Sequence, residues 1–342
     1  MRIADYAFHL PERLIAQSPT DPRDKSRLLL LNKNTGEILE DYFFHLERYL
    51  KPGDVLVFND SKVIPARLIF KWNDKEAELL LVKKLEENVW EIMGRPGKML
   101  KIGVKFFVTP LLGVEVLEVM ESGLRVVRFF SEKLADSEIE QKIFEFGQLP
   151  LPPYIENFRE SMQRYQTVYS KHNGSIAAPT AGLHFTKRLL ANLIHKGVQL
   201  EFVTLHVGLG TFLPVKVKKV EEHVMHCENF ELGFDTARRL NAAKKAGRRI
   251  IAVGTTTARV LESVYHKKYG FVPQKNSTGI FIKPGYQFQA LDALITNFHL
   301  PQSTLLMLVS AFAGKEKIVR AYEYAIHHHF HFYSFGDAMF IS

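Results

Sequence analysis

Ile250-Ile251-Ala252-Val253-Gly254-Thr255-Thr256-Thr257 decides how the chain is read. Four consecutive apolar residues make a strand buried on both faces, the texture of a parallel sheet. Gly254 then permits a tight turn, and three threonines stand where a helix begins. Outward from this unit the same rhythm repeats. The pattern predicts helices over residues 186–196, 235–246 and 258–267, strands over 199–207, 249–253 and 293–296, and two further helices within 303–330. Helices alternating with buried strands predict a layered α/β domain. Leu28-Leu29-Leu30-Leu31 and Val55-Leu56-Val57-Phe58 read as two more buried strands, with a helix over 43–49 between them. Neither has a strand partner close in sequence, so both are assigned to that same domain.

From residue 64 to 130 the texture changes. Short runs of branched and aromatic residues at 67–70, 77–83, 89–93, 104–108, 113–119 and 124–130 alternate with turn signals, the pattern of a small antiparallel β-barrel. A helix over 131–146 follows, and Leu149-Pro150-Leu151-Pro152-Pro153 makes a stiff extended linker. The expected organisation is a discontinuous large α/β catalytic domain, residues 1–63 and 148–342, carrying an inserted small β-barrel domain, residues 64–147.

Composition narrows the class. With 342 residues, 46% hydrophobic and 24% charged, the chain is neither disordered nor collagen-like. Its longest near-continuous apolar stretch, residues 304–313, falls well short of the ~18 residues a membrane-spanning helix needs. Met1-Arg2-Ile3-Ala4-Asp5 opens without the apolar core of a signal peptide, and a single cysteine, Cys227, cannot form an internal disulfide. A cytoplasmic protein with no membrane association is expected. The net charge of +8, from 45 basic against 37 acidic residues, is compatible with a polyanionic partner without requiring one.

Chemistry is expected where strands deliver polar loops, because open α/β sheets hold ligands at the carboxyl ends of their strands. The Gly254-Thr255-Thr256-Thr257 turn offers N–H and hydroxyl donors to a carboxylate or phosphate, although the same residues suit a plain helix cap. Thr204-Leu205-His206-Val207-Gly208-Leu209-Gly210-Thr211-Phe212 brings a histidine to a strand end and follows it with two glycines that allow close backbone approach. Ala178-Pro179-Thr180-Ala181-Gly182-Leu183-His184-Phe185 is a small-residue loop with a histidine near a helix start. His223-Val224-Met225-His226-Cys227-Glu228 has a zinc-like spacing, but without a second cluster an acid/base reading of His226 and Glu228 is preferred and no metal is expected. His327-His328-His329 reads as a solvated run within the last helix.

These motifs together resemble the S-adenosylmethionine:tRNA ribosyltransferase-isomerases of queuosine biosynthesis. The resemblance runs the length of the chain: Val57-Phe58-Asn59-Asp60-Ser61-Lys62-Val63-Ile64-Pro65-Ala66-Arg67-Leu68, Leu149-Pro150-Leu151-Pro152-Pro153-Tyr154-Ile155, Tyr165-Gln166-Thr167-Val168-Tyr169-Ser170 and the three loops just quoted. It continues through His223-x-x-His226-x-Glu228, Thr296-Asn297-Phe298-His299-Leu300-Pro301-x-Ser303-Thr304 and Ser334-Phe335-Gly336-Asp337-Ala338-Met339-Phe340-Ile341. Lys62 and Cys227 depart from the pattern, which often has arginine and serine there, and residues 70–145 match in length and texture but not in motif.

The resemblance implies an enzyme that uses S-adenosylmethionine as a ribosyl donor and not as a methyl donor. The acceptor is 7-aminomethyl-7-deazaguanine at the wobble position of tRNAs with GUN-type anticodons, and the products are epoxyqueuosine-tRNA, adenine and methionine. A monomer or weak oligomer is expected. The donor's sulfonium acidifies the C5′ protons, so a base titrating near neutrality is needed, and His206 or His184 is assigned that role. Adenine leaves more readily when protonated, which assigns the acid to Glu228 with His226. Thr255 and Thr256 are given the methionyl carboxylate. Asp60, Arg67, His299 and Asp337 are assigned substrate contacts, with Asp60 or Asp337 reading the deazaguanine edge. Asn59, Thr180, Gly182, Gly208, Gly210, Thr211, Arg259 and Asn297 complete the expected binding set. The alternatives are an S-adenosylmethionine-dependent RNA methyltransferase, whose glycine-rich fingerprint is missing, and a non-catalytic RNA-binding protein that uses the barrel as its platform.

Overall fold

The computed structural model describes residues 1–156, 158, 160–208, 210 and 217–342. Their fold is mixed α/β. The chain divides into two compact units, one of residues Met1–Ser61, Pro153–His172 and Ala178–Ser342, the other of Lys62–Pro152 and Asn173–Ala177.

The first unit is built on a nine-stranded sheet in the order Gln274–Thr278, Glu228–Leu232, Gln199–Leu205, Val55–Asn59, Ile250–Val253, Ala293–Asn297, Ala338–Ile341, Arg27–Leu31, Ile38–Tyr42. Gln199–Leu205, Val55–Asn59, Ile250–Val253 and Ala293–Asn297 run parallel to their neighbours in that series. Every residue of the Val55, Ile250 and Ala293 strands is buried, as expected for central strands covered on both faces. Their alternate residues, Leu56 and Phe58, Ile251 and Val253, Ala293 and Ile295, join Leu28, Leu30, Ala338 and Phe340 in one cluster. Phe43 and Leu46, from the 3₁₀ helix Phe43–Tyr49, and Leu189 and Leu193, from the helix Lys187–His195, pack into the same cluster. Burying side chains of this size stabilises by about 1.5–3 kcal/mol each, which fixes the register of the central strands.

The strands that appeared partnerless in the sequence find partners, and one of them is close by after all: the exposed strand Ile38–Tyr42, which carries no apolar run, follows Arg27–Leu31 across a short turn. Arg27–Leu31 pairs in parallel with Ala338–Ile341 and antiparallel with Ile38–Tyr42. Two expectations shift in detail. The helix after Gly254 spans Thr255–Val264, not 258–267, because the threonines form its first turn and Tyr265–His266 leaves as a short strand. The last helix ends at His327. His328 is its C-cap and His329 takes φ +58°, so the three histidines do not share a helix.

The second unit is a six-stranded antiparallel sheet in the order Arg67–Trp72, Lys75–Glu86, Val89–Arg95, Arg125–Phe130, Leu112–Val119, Lys105–Thr109. Its two edge strands approach each other, and Phe70 and Phe106 stack across that seam at 5.8 Å and 8°, which nearly closes the sheet into a barrel. Trp90 is buried with Phe70 and Phe106, whereas Phe107 is exposed. The helix that follows is shorter than expected, Asp136–Phe146.

Candidate active site

The four parallel strands deliver their carboxyl ends to one edge of the large sheet. Ala338–Ile341 runs antiparallel to Ala293–Asn297, with Ala338 opposite Asn297, so Asp337 arrives at that edge as well. Arg27–Leu31 is parallel to Ala338–Ile341, which brings Ser26 there too. Sequence position scatters these residues over the whole chain; strand direction gathers them.

Asn59, fully buried, ties the strand ends together. Its Oδ1 accepts from the N–H of Leu205 at 2.9 Å and of Ser61 at 3.1 Å, while its Nδ2 donates to the Leu205 carbonyl at 3.0 Å and to Thr256 Oγ1 at 3.4 Å. Asp60 beside it accepts the Thr204 hydroxyl at 2.7 Å, and its other oxygen lies 3.6 Å from His172 Nε2. His206 follows the Leu205 strand end, held by its N–H to the Asn229 carbonyl at 2.9 Å. Its Nδ1 is buried and has no hydrogen-bond partner. Burial, then the neighbouring His172, hold the His206 imidazole below its usual value, with Asp60 opposing them. A neutral imidazole at this edge can take a proton at physiological pH.

Glu228 opens the Glu228–Leu232 strand. Its Oε1 accepts the Gly208 N–H at 2.9 Å, and its Oε2 is ion-paired with Arg259 Nη1. Arg259 comes from the helix Thr255–Val264, and both partners are almost completely enclosed. With both oxygens engaged, Glu228 fixes the glycine loop in place. His226 is exposed and lies against Gly210, where a Cβ would come within 2.9 Å of its Cδ2. Thr211 lies outside the described residues.

Gly254 takes φ +92°, where a side chain would be strained, and precedes the helix without capping it through a side chain. Thr255 and Thr256 therefore stand in a first turn whose N–H groups are free of a side-chain cap, the place a carboxylate favours. Thr180, Gly182 and His184 sit on the 3₁₀ helix Thr180–His184, which packs on the Ala293–Asn297 strand. Gly182 has to be glycine, since a Cβ would lie 2.0 Å from Tyr169 Oη.

His184 is 5% exposed and stacks on Phe43, and its Nδ1 shares a 2.7 Å hydrogen bond with Ser26 Oγ. Burial holds its imidazole down to about 4, although Asp337 and Asn297 pull the other way. Asn297 is buried and donates to the Tyr333 carbonyl at 2.9 Å. His299 is bonded to Thr296 Oγ1 at 2.9 Å and through its N–H to Tyr322 Oη at 2.9 Å, and burial holds it down to about 3. Asp337 accepts the backbone N–H groups of Arg27 and His331, each at 2.7 Å. Arg67 belongs to the second unit and is paired with Glu78 at 2.6 Å. Among the described residues no group of three or more histidine, cysteine or acidic side chains is placed to hold a metal ion. Ser26, His172 and the arginines at 23 and 164 were missed in the sequence. They lie in or at the end of short 3₁₀ turns or, for His172, at the start of the four-residue strand His172–Ser175, elements too short for any periodicity to mark.

Residues 3–341 match the family described as Queuosine biosynthesis protein. The chain belongs to that family. An S-adenosylmethionine:tRNA ribosyltransferase-isomerase from Thermoanaerobacter sp. (strain X514) is 50% identical over 345 residues, 100% of both chains. Another from Caldanaerobacter subterraneus subsp. tengcongensis is 49% identical over 344 residues, again 100% of both. The crystal structure of S-adenosylmethionine tRNA ribosyltransferase from Thermotoga maritima is similar with TM-score 0.55 and 37% identity, covering 99% of this chain and 100% of that one. Likeness over full length places both compact units of this queuosine-family chain within the match.

The two buried histidines of this family member make its stability depend on pH. Each has a folded-state value below the ~6.5 of an unfolded histidine, so the unfolded chain binds more protons as pH falls. Their stabilising contribution is complete above pH ~6.5 and is lost as pH falls toward about 4 for His184 and about 3 for His299. At pH 5 the loss is about 2 kcal/mol for each histidine. Urea denaturation at pH 7.5 and pH 5 is expected to show it, and His299→Asn is expected to shrink the difference. An equal pH effect in that variant would remove His299 as a source.

Proposed function

We propose that the chain is an S-adenosylmethionine:tRNA ribosyltransferase-isomerase. It transfers and isomerises the donor's ribosyl group onto 7-aminomethyl-7-deazaguanine at the wobble position of a GUN-anticodon tRNA, releasing adenine and methionine. The single observation that carries this reading is the gathering of His206, Asp60, Glu228 and the uncapped Thr255–Val264 helix start at one carboxyl edge, in a chain whose curated relatives bear that name over their full length.

In this reading the large unit is a layered α/β catalytic domain of residues 1–63 and 148–342, and residues 64–147 form the inserted barrel. The protein works in the cytoplasm as a monomer or weak oligomer. The helix start at Thr255 and Thr256 takes the methionyl carboxylate. His206, half-buried and deprotonated near neutrality, removes the C5′ proton made acidic by the sulfonium. It suits that role better than His184, whose burial and bond to Ser26 make it a poor proton carrier near pH 7. Glu228, braced by Arg259, holds the Gly208 loop through its other oxygen, and His226, on the exposed side of Gly210, passes a proton to adenine. Asp60 reads the deazaguanine edge, while Asn297, His299 and Asp337 brace the floor beneath it.

Mass spectrometry of tRNA bearing the aminomethyl-deazaguanine, incubated with enzyme and S-adenosylmethionine, tests the proposal. A mass gain of one ribosyl-derived unit on that base is expected. An unchanged base, or a gain of a methyl group, would overturn it.

A further inference from the structure

Beside His184 the large unit holds a small, open cleft lined by Arg23, Ser26, Arg164, His184, Phe335 and Gly336 among others. Arg23 donates to the carbonyls of Gln163 at 2.8 Å and Gln166 at 2.6 Å, and Arg164 donates to the Thr20 carbonyl at 2.7 Å. Backbone carbonyls thus aim two guanidiniums at the same space. Each guanidinium has five N–H donors, and these bonds use only a part of them.

The two charges are poorly neutralised. Burial and the charge of Arg164 both lower the Arg23 value from the ordinary arginine range. Among the described residues that line the cleft there is no carboxylate. The acid in reach, Asp21, stands 3.4 Å from Arg164 with its side chain 86% exposed, where solvent screens the pair. His184, on the same wall, is held neutral by its burial and brings no compensating negative charge. Holding like charges together in a partly buried cleft is unfavourable unless an anion completes the site.

The shape selects among anions and bases. Phe335 is only 5% exposed, being stacked on Phe158 at 5.5 Å and met edge-on by Tyr165, so it offers no open face to a nucleobase. In the transferase reading the donor's carboxylate goes to the Thr255 helix start. A phosphate, which can present two of its oxygens side by side to a guanidinium fork, is what remains.

We propose that this cleft seats a backbone phosphate of the RNA substrate between Arg23 and Arg164. The identity of the polyanion as tRNA rests on the transferase reading; the anion chemistry of the cleft does not.

The test is direct titration of the full-length protein with a tRNA anticodon stem-loop at several salt concentrations, alongside steady-state kinetics. For Arg164→Gln the dissociation constant for RNA is expected to rise about tenfold, and the slope of log K against log salt to become shallower by roughly 0.7–0.9, one phosphate contact. The KM for S-adenosylmethionine should stay as it is in the parent. Arg23→Lys keeps the charge while losing the fork, so it should weaken RNA binding with an unchanged salt slope. It serves as the second variant should Arg164→Gln melt early. Unchanged RNA affinity and slope in both variants would overturn the proposal. So would a rise in KM for S-adenosylmethionine alone, which would make the cleft the donor's carboxylate site. A parent protein that binds the stem-loop with a steep salt slope yet leaves the base unchanged in mass would remove the transferase reading and keep the phosphate site.

Discussion

Replacing His206 with alanine is expected to lower kcat by at least ~10²-fold, the usual loss when a positioned base is removed from a proton transfer. The side chain stands at the end of the Gln199–Leu205 strand, and only its backbone is used structurally, through the bond to Asn229. Its loss should therefore leave the fold and both substrate affinities nearly intact. The parent enzyme is expected to lose activity on acidification with an inflection below ~6.5, because burial lowers the histidine value and the base must be neutral to act. His206→Ala should abolish that acid limb along with most of the rate. Activity within a fewfold of the parent would transfer the base role elsewhere, and His184→Asn would then be the variant to assay.

Breaking the Glu228–Arg259 pair is expected to produce the largest change in stability. Both side chains are more than nine-tenths buried, so removing one strands the other's charge away from water. Such a loss costs about 3–5 kcal/mol, whereas replacing both partners with apolar residues of similar size costs far less and can be neutral. Arg259→Met and Glu228→Met should each destabilise strongly in urea titrations, and the two combined should recover much of the loss. That combined variant should still lack activity, since the Gly208 N–H loses its carboxylate acceptor. Additive losses in the double variant would show that the two side chains act separately.

Much of the fold was legible because its information is local. The apolar runs at Leu28–Leu31, Val55–Phe58, Ile250–Val253 and Ala293–Thr296, and all six strands of the small unit, follow from burial pattern and turn residues alone. Other strands did not show, the buried Ala338–Ile341 among them. Ile38–Tyr42 and Gln274–Thr278 are largely exposed and carry no apolar run, and Glu228–Leu232 alternates buried and exposed residues behind a motif that drew attention to its chemistry. At the site, the loops around His206, Gly254 and Gly182 were readable from glycine and histidine placement. What those residues touch was not. Glu228 turns out to be tied to Arg259, and His299 and Asp337 to be braced against Thr296, Tyr322 and backbone N–H groups. His172 beside Asp60, and Arg23 beside Arg164, depend on long-range folding that no spacing rule encodes.

The decisive measurement uses S-adenosylmethionine carrying one isotope in the ribose carbons and another in the S-methyl group, incubated with tRNA that bears the aminomethyl-deazaguanine. The expected result is ribose label in the RNA, methyl label confined to free methionine, and one adenine released per modified base. Methyl label in the RNA, or adenine retained on the donor while the RNA stays unlabelled, would contradict the claim that this sheet edge transfers the sugar of its sulfonium donor.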